Sequence, residues 1–286
     1  MTARFETNKA LTHHSLGISI SASEDTAGLG LDIHEVNRAV LQISEAVLGQ
    51  GARVVFGHDW RPDGVMETVL TFAMGYHRRP AFEDDGAPMT NFLAWPDRAS
   101  LSSDRRKHYE GMLDVIEFDQ PALPDGVMVP PGKEANLLLR VMALTEMRTV
   151  MASKCTARIC AGGPTSGSQG LCAGIFEEAA LSAKLNKPIY VTSLFGGAGA
   201  QVVRALSGRP MTKPVTTPKP EVSAVLENVG LPTDASEYET ILKDKGLKGL
   251  SEDNGLSIDQ NQQLFAAQSL SEVIGWVLHG LSQLKK

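Results

Sequence analysis

The sequence predicts an α/β protein: a doubly wound, mostly parallel sheet of Rossmann-like type with helices on both faces and a helical C-terminal extension. Three observations predict it. Short apolar runs alternate with segments of helical spacing along the first 207 residues. Several of these runs end in glycine-rich turns, the punctuation of strand-to-helix connections in such sheets. The 286 residues, with 42% hydrophobic content, suffice for a sizeable core.

Residues 16–22 alternate apolar with small or polar side chains and read as the first strand, ending in Ser21-Ala22-Ser23-Glu24-Asp25. Ligands of open parallel sheets lie at the carboxyl ends of strands, so Ser21 and Ser23 are candidate contacts; loop serines also cap helices or face water. Val36, Val40, Ile43 and Val47 recur at helical spacing, and Gly49 and Gly51 stop that helix. Residues 52–56 form a second strand running into Gly57-His58-Asp59-Trp60-Arg61-Pro62-Asp63-Gly64, before a helix over about 65–77. Arg61 offers forked donors for a phosphate, or pairs with Asp59 or Asp63 on the surface. Residues 91–96 and 113–119 read as further strands around a polar helix over 102–109. Residues 121–132, with four prolines and two glycines, read as a loop that is either a lid or a crossing of the sheet edge.

The longest helical pattern covers 134–154 and carries Arg148 between Met147 and Met151. A guanidinium partly buried by such neighbours requires an anion, either Glu146 or a bound phosphate. It leads into the stretch on which the chain is centred, 157–178. There an apolar run ending at Ala161 precedes Gly162, Gly163, Gly167 and Gly170, with Thr165 among them, and a helix opens with Glu177 and Glu178 in its first turns. Strand, glycine turn and helix start together aim backbone N–H groups and a positive dipole end at one spot, where an anionic ligand is expected. The alternative is a tight turn with no ligand, with both glutamates stabilising the helix end by about 0.3–1 kcal/mol each. Neither the dinucleotide fingerprint nor the Walker lysine pattern is present. A strand over 188–193 then closes on Leu194-Phe195-Gly196-Gly197, a further glycine turn. Residues 208–220 loosen into a proline- and threonine-rich linker, and short helical patterns follow to the end. The division expected is a nucleotide-binding core over 1–207 and a linker with helical extension over 208–286, packed on the same domain.

A net charge of −6 and a pI near 5.7 argue against nucleic acid as a partner. Cys155, Cys160 and Cys172 match no zinc spacing and read as small core residues of a reducing compartment; no metal or cofactor is expected. With no long apolar run and no signal-peptide core, the expectation is a cytoplasmic protein without a membrane partner.

On these residues the chain resembles the SLOG superfamily, the Rossmann-like group that includes the Lonely Guy phosphoribohydrolases and nucleotide sensors of bacterial immunity. The resemblance is strongest to the prokaryotic branch linked to TIR and sirtuin domains in antiviral operons. It rests on Ser21 and Ser23, the Gly57–Gly64 segment, Met147-Arg148 upstream of Gly162-Gly163, Gly174 to Ala179, and Phe195 to Ala198. It extends to Asn254-Gly255-Leu256 and the last helix. The resemblance implies a pocket for a nucleotide-derived ligand held by Ser21, Ser23, Gly57, Asp59, Arg61, Gly64, Arg148, Gly162, Gly163, Thr165, Gly170, Glu177, Glu178, Phe195, Gly196 and Gly197. In a sensor this ligand is of the cyclic ADP-ribose or ADP-ribose class, with a TIR-type or other effector as partner, and the protein is a homodimer or higher homo-oligomer. In an enzyme of Lonely Guy type, a nucleoside-monophosphate N-glycosidase, Glu178 and Arg148 carry the catalysis. Phosphate is expected towards Arg148 and the glycine turn, and sugar towards the glutamates. The chain departs from the enzyme pattern: no proline precedes Gly162-Gly163, and eleven positions from Pro164 to Gly174 intervene before the glutamates. That favours the sensor over the enzyme.

Overall fold

A computed structural model describes residues 10–57, 60, 65–77, 86–129 and 131–284. Six strands, β1 (Ser15–Ser21), β2 (Arg53–Gly57), β3 (Met89–Leu93), β4 (Leu113–Glu117), β5 (Ala157–Gly162) and β6 (Ile189–Thr192), form one sheet in the order β4-β3-β2-β1-β5-β6. Every neighbouring pair is parallel. The chain winds outward from β1 to β4, then returns to place β5 on the other side of β1. The strand order therefore reverses between β1 and β5, where Leu16 to Ser21 lie opposite Ala157 to Gly162. A crevice opens at the carboxyl ends of strands at such a reversal, because the two connections leave in opposite directions.

Strand alternation explains the two covered faces. Leu16, Val54, Phe56, Ile159 and Tyr190 point to a core shared with α1 (Ile33–Gly49), α2 (Met66–His77) and α10 (Leu270–Gln283), while the short α3 (Ser103–His108) leads into β4. Val55 and Phe92 point the other way, against Met147 and Met151 of α4 (Lys133–Lys154). On that same side Cys160 and Val191 meet α5 (Gly174–Lys184) and α6 (Gly197–Leu206). Helix starts are written locally. Asp32 and Glu35 cap α1 reciprocally, Glu35 N–H donating to Asp32 Oδ1 at 2.9 Å and Asp32 N–H to Glu35 Oε2 at 3.0 Å.

The C-terminal helices pack on helices of both sheet faces. α7 (Pro220–Asn228) packs on α4, and α8 (Ser236–Asp253) on α5 and α6, with a kink at Gly246, whose φ is +52°. Between α8 and α9 (Ile258–Phe265) the buried Asn254 donates from Nδ2 to Ile189 O at 3.0 Å, while Tyr190 donates its hydroxyl to Asn254 O at 2.9 Å. Gly255, at φ +72°, lies where a side chain would run into Gly280 and Gln283 of α10. The Asn254-Gly255 turn thus joins the last two helices to the sheet. The proline-rich segment before α4 is packed as well: Leu123, Val127 and Val129 lie against Leu138, Val141 and Val222. β3 stops at Leu93, three residues short of the expected strand end, because Trp95-Pro96 follows, and proline supplies no ladder donor.

Candidate functional site

The end of β5 sets the geometry. Gly162 and Gly163 have φ of +66° and +82°, and a side chain at Gly162 would collide with the Ser21 carbonyl. The bare backbone lets β5 turn tightly against the end of β1, where Gly163 N–H donates to Ser21 O at 2.8 Å. The end of β6 comes to the same place. Ala198 N–H donates to Gly163 O at 2.8 Å, and Gly199 of α6 packs against Gly162 and Ala161. Ser23 joins the group by donating its hydroxyl to Phe195 O at 2.8 Å. Three loop ends, after β1, β5 and β6, are therefore stitched together at the reversal point. Gly57, at the end of β2, lies beneath Met147 and Met151 of α4. Asp59, Arg61 and Gly64 fall outside the described residues.

The glycine stretch after β5 is tethered on both sides. Thr165, buried, donates its hydroxyl to Glu24 Oε1, and its N–H to Glu24 Oε2 at 3.3 Å. Gln169 Oε1 accepts from Arg140 Nε of α4 at 3.0 Å, while Arg140 also pairs with Asp97 at 2.5 Å and donates to Trp95 O. Gly170 and Gly174 lie directly on the guanidinium of Arg148: an added Cβ would sit 2.8 Å from Nη1 at Gly170 and 2.6 Å from Nη2 at Gly174.

Arg148 does not pair with Glu146. Its Nη1 donates to Glu177 Oε2, and its Nε lies 3.5 Å from Glu178 Oε1. Thr145 completes the Glu177 side by donating to Oε1 at 2.5 Å, and the Glu177 side chain has no exposed surface. Burial pulls the Arg148 guanidinium down, but Glu177 and then Glu178 outweigh it and hold it above its ordinary value, so it stays charged.

A second arginine, Arg158, escapes the sequence reading altogether. It occupies the second position of β5 with no exposed surface. Nη1 donates to Glu178 Oε2 at 2.8 Å and to Ser19 Oγ at 2.7 Å; Nε donates to Ser182 Oγ at 3.1 Å. Ser19 also donates to Glu178 Oε2. The guanidinium fits because its β1 neighbour is Gly17, where a Cβ would stand 3.1 Å from Cζ. The available signal was a single charge inside an otherwise apolar strand, opposite a glycine of the adjacent strand. Two arginines and two glutamates thus form one charge-balanced lattice under the glycine stretch, with Arg158 and Glu177 wholly buried and Arg148 and Glu178 slightly exposed.

The mouth carries its own ions. Asp25 Oδ2 accepts from Gly197 N–H at 2.9 Å, and Lys213 Nζ reaches Asp25 Oδ1 at 2.5 Å and Glu24 Oε1 at 3.1 Å. Lys213 first, and then the Gly197 amide, hold the Asp25 carboxyl below its ordinary value. Burial pushes Glu24 up, yet the bonds from Thr165 and Lys213 leave it lowered. Lys213 is raised, chiefly by its bond to Asp25.

The structure therefore brings Ser21, Ser23, Gly162, Gly163, Thr165, Phe195, Gly196 and Gly197 to one edge. Gly170, Arg148, Glu177 and Glu178 lie in the layer behind it, and Gly57 lies next to that layer under α4. Sequence reasoning missed Arg140 and Arg158 at this site, and the parts played by Glu24, Asp25 and Lys213. An apolar groove of about 460 Å³ lies beside it, between α4, α7 and Leu171, and shares Thr145 and the Gly170-Leu171 step with this layer. Among the described residues no group of three or more His, Cys, Asp or Glu is placed to hold a metal ion, and no helix is long and apolar enough to cross a membrane. The three cysteines are buried and unpaired, and burial pushes the Cys160 thiol up to about 12.

Among known families, the model described as SLOG cluster2 matches residues 10–264. No curated protein matches the chain.

Proposed function

We propose, for a chain that belongs to the SLOG cluster2 family, that it binds a nucleotide-derived ligand at the β1–β5 edge and holds that ligand without cleaving it. Family membership suggests nucleotide-related ligand binding or glycosidase activity. Our finer reading is a sensor or carrier for an ADP-ribose-type signal, cyclic ADP-ribose included, acting in antiviral signalling with a TIR-type or other effector and as a homo-oligomer.

The observation that carries the choice of binding over cleavage is the state of the two glutamates. A carboxylate that stabilises an oxocarbenium-like centre or activates water must present an oxygen to the substrate. Glu177 is fully buried between Arg148 and Thr145. Glu178 has Oε2 taken by Arg158 and Ser19, and Oε1 lies near Arg148. Glu177 is committed to internal partners through both oxygens and Glu178 through Oε2, with 14% of its side chain exposed, which supports a floor beneath a ligand. Arg148 likewise has its charge balanced internally, so it contributes shape and polarity to that floor rather than an unpaired cation.

Thermal unfolding tests this. Cyclic ADP-ribose isomers or ADP-ribose at about a hundred times the Kd stabilise a one-site binder by about 2.7 kcal/mol, a rise of roughly 4–6 °C for a chain of this size. The expected result is such a rise with ligand recovered unchanged. Absence of any shift across the nucleotide set refutes the reading. Release of ribose 5-phosphate and free base from AMP, abolished in Glu178→Gln, would establish the N-glycosidase instead.

A further inference from the structure

We propose that Lys213, Glu24 and Asp25 form a charge latch across the mouth of the β1–β5 edge, one that ties three loops shut and sets how often the edge opens. The inference rests on that edge being the ligand site.

Residues 207–219 run from the end of α6 to the start of α7, past the N-terminal ends of both α5 and α6. Their backbone is anchored without Lys213. Thr212 N–H donates to Gln201 Oε1 of α6 at 2.8 Å. Val215, fully buried, accepts from Ala173 N–H at 2.9 Å, and Thr216 O accepts from Ala235 N–H at 2.9 Å. The lysine is therefore not needed to hold this strap on the fold. Its side chain leaves the strap and reaches the loop after β1, at Asp25 and Glu24. Glu24 continues the connection to Thr165 in the glycine stretch after β5. One ammonium group thus links the strap to the β1 loop, and through Glu24 to the β5 loop.

The exposures distinguish this cluster from the lattice beneath it. Lys213, Glu24 and Asp25 side chains are 30%, 42% and 36% exposed, whereas Arg158 and Glu177 are at 0%. Pairs that water can reach are weak, screened by salt and quickly remade, while buried pairs are held as a unit. The site accordingly has a fixed floor and a mouth closed by bonds that solvent can compete for.

Amide hydrogen exchange on the full chain tests the latch with no ligand added. In Lys213→Met, peptides spanning 22–30 and 163–171 are expected to exchange roughly two- to fivefold faster than in the wild type, with β1 and β5 unchanged. Lys213→Arg restores wild-type protection. Raising sodium chloride from about 20 to about 500 mM speeds the same peptides in the wild type and has little effect in Lys213→Met. Equal exchange in all three proteins overturns the latch. So does faster exchange throughout the sheet in Lys213→Met, which would make the lysine a support of the whole fold. Failure of ADP-ribose to bind the wild type would instead strike at the functional reading, while the exchange rates still decide whether the loops are latched.

Discussion

Arg158 is the residue whose placement is hardest to justify by stability alone. An ion withdrawn this far from water loses several kcal/mol of hydration, and an apolar side chain would fill the same strand position at little cost. Its presence makes sense as the counter-charge that fixes Glu178, just as Arg148 fixes Glu177. The two kinds of substitution therefore have opposite expectations. Arg158→Leu or Glu178→Leu alone leaves an unbalanced buried charge and is expected to cost about 3–5 kcal/mol in urea unfolding. The double substitution removes both charges and should recover most of that loss. A double variant as unstable as the singles would show that the pair is needed for the fold itself. Arg148→Ala strands Glu177 in the same way and is expected to fall in the same range. Here the sequence was only partly legible. Arg148 and the glutamates stood out beside the glycine stretch, but which carboxylate Arg148 meets depends on packing between α4 and α5, and no spacing in the chain encodes that contact. Arg158 was hidden because an apolar run reads as a strand whether or not one member is charged.

Among the elements, the glycine turns carry the most information. Gly197 has φ of +56°, and a side chain there would run into the Gly163 carbonyl and Ser23, whereas one at Gly28 meets nothing within 4 Å. Gly197→Ala should lose at least about 1–3 kcal/mol from backbone strain, with the clash added to it. Gly28→Ala should remain within about 1 kcal/mol of the wild type. Equal losses would mean that the close approach of α6 to β5 does not matter to folding. The loop after β1 adds a pH signature. Asp25 and Glu24 are lowered in the folded state, so their contribution is present above their unfolded values of about 3.9 and 4.3 and drains away as pH falls through the folded ones. Lys213 is raised, so its part is present below about 10.4 and is lost as pH climbs through its folded value. The groups are partly exposed, which limits the effect to about 1 kcal/mol or less. The difference in melting temperature between wild type and Lys213→Met should be flat from about pH 5 to 9 and shrink beyond both ends. A difference that peaks at acid pH would contradict the assigned pairs. Strands and helices were readable as elements because their periods of 2 and 3.6 are local properties. Residues 208–220 read as a linker because prolines and threonines say nothing about the helix ends they cross.

For the whole molecule, the strand order places the ends of β1, β5 and β6 together and so turns three separate glycine or serine turns into one edge. The doubly wound class followed from the alternation of elements, and the reversal between β1 and β5 is what that class requires somewhere in the sheet. The helical C-terminal region is bound to β6 by Asn254 and Tyr190, a contact between residues more than sixty positions apart that only the folded chain reveals. The apolar groove between α4 and α7 is the competing surface for a small molecule, and its walls carry few polar groups to orient a nucleotide. The most direct measurement is the backbone amide spectrum of the ¹⁵N-labelled protein titrated with ADP-ribose. Saturable shifts at Ser21 to Asp25, Gly162 to Gly170, Gly196 and Gly197 are the predicted result. Shifts confined to Leu138, Met142, Leu226 and Leu231, or none at saturating nucleotide, would contradict it.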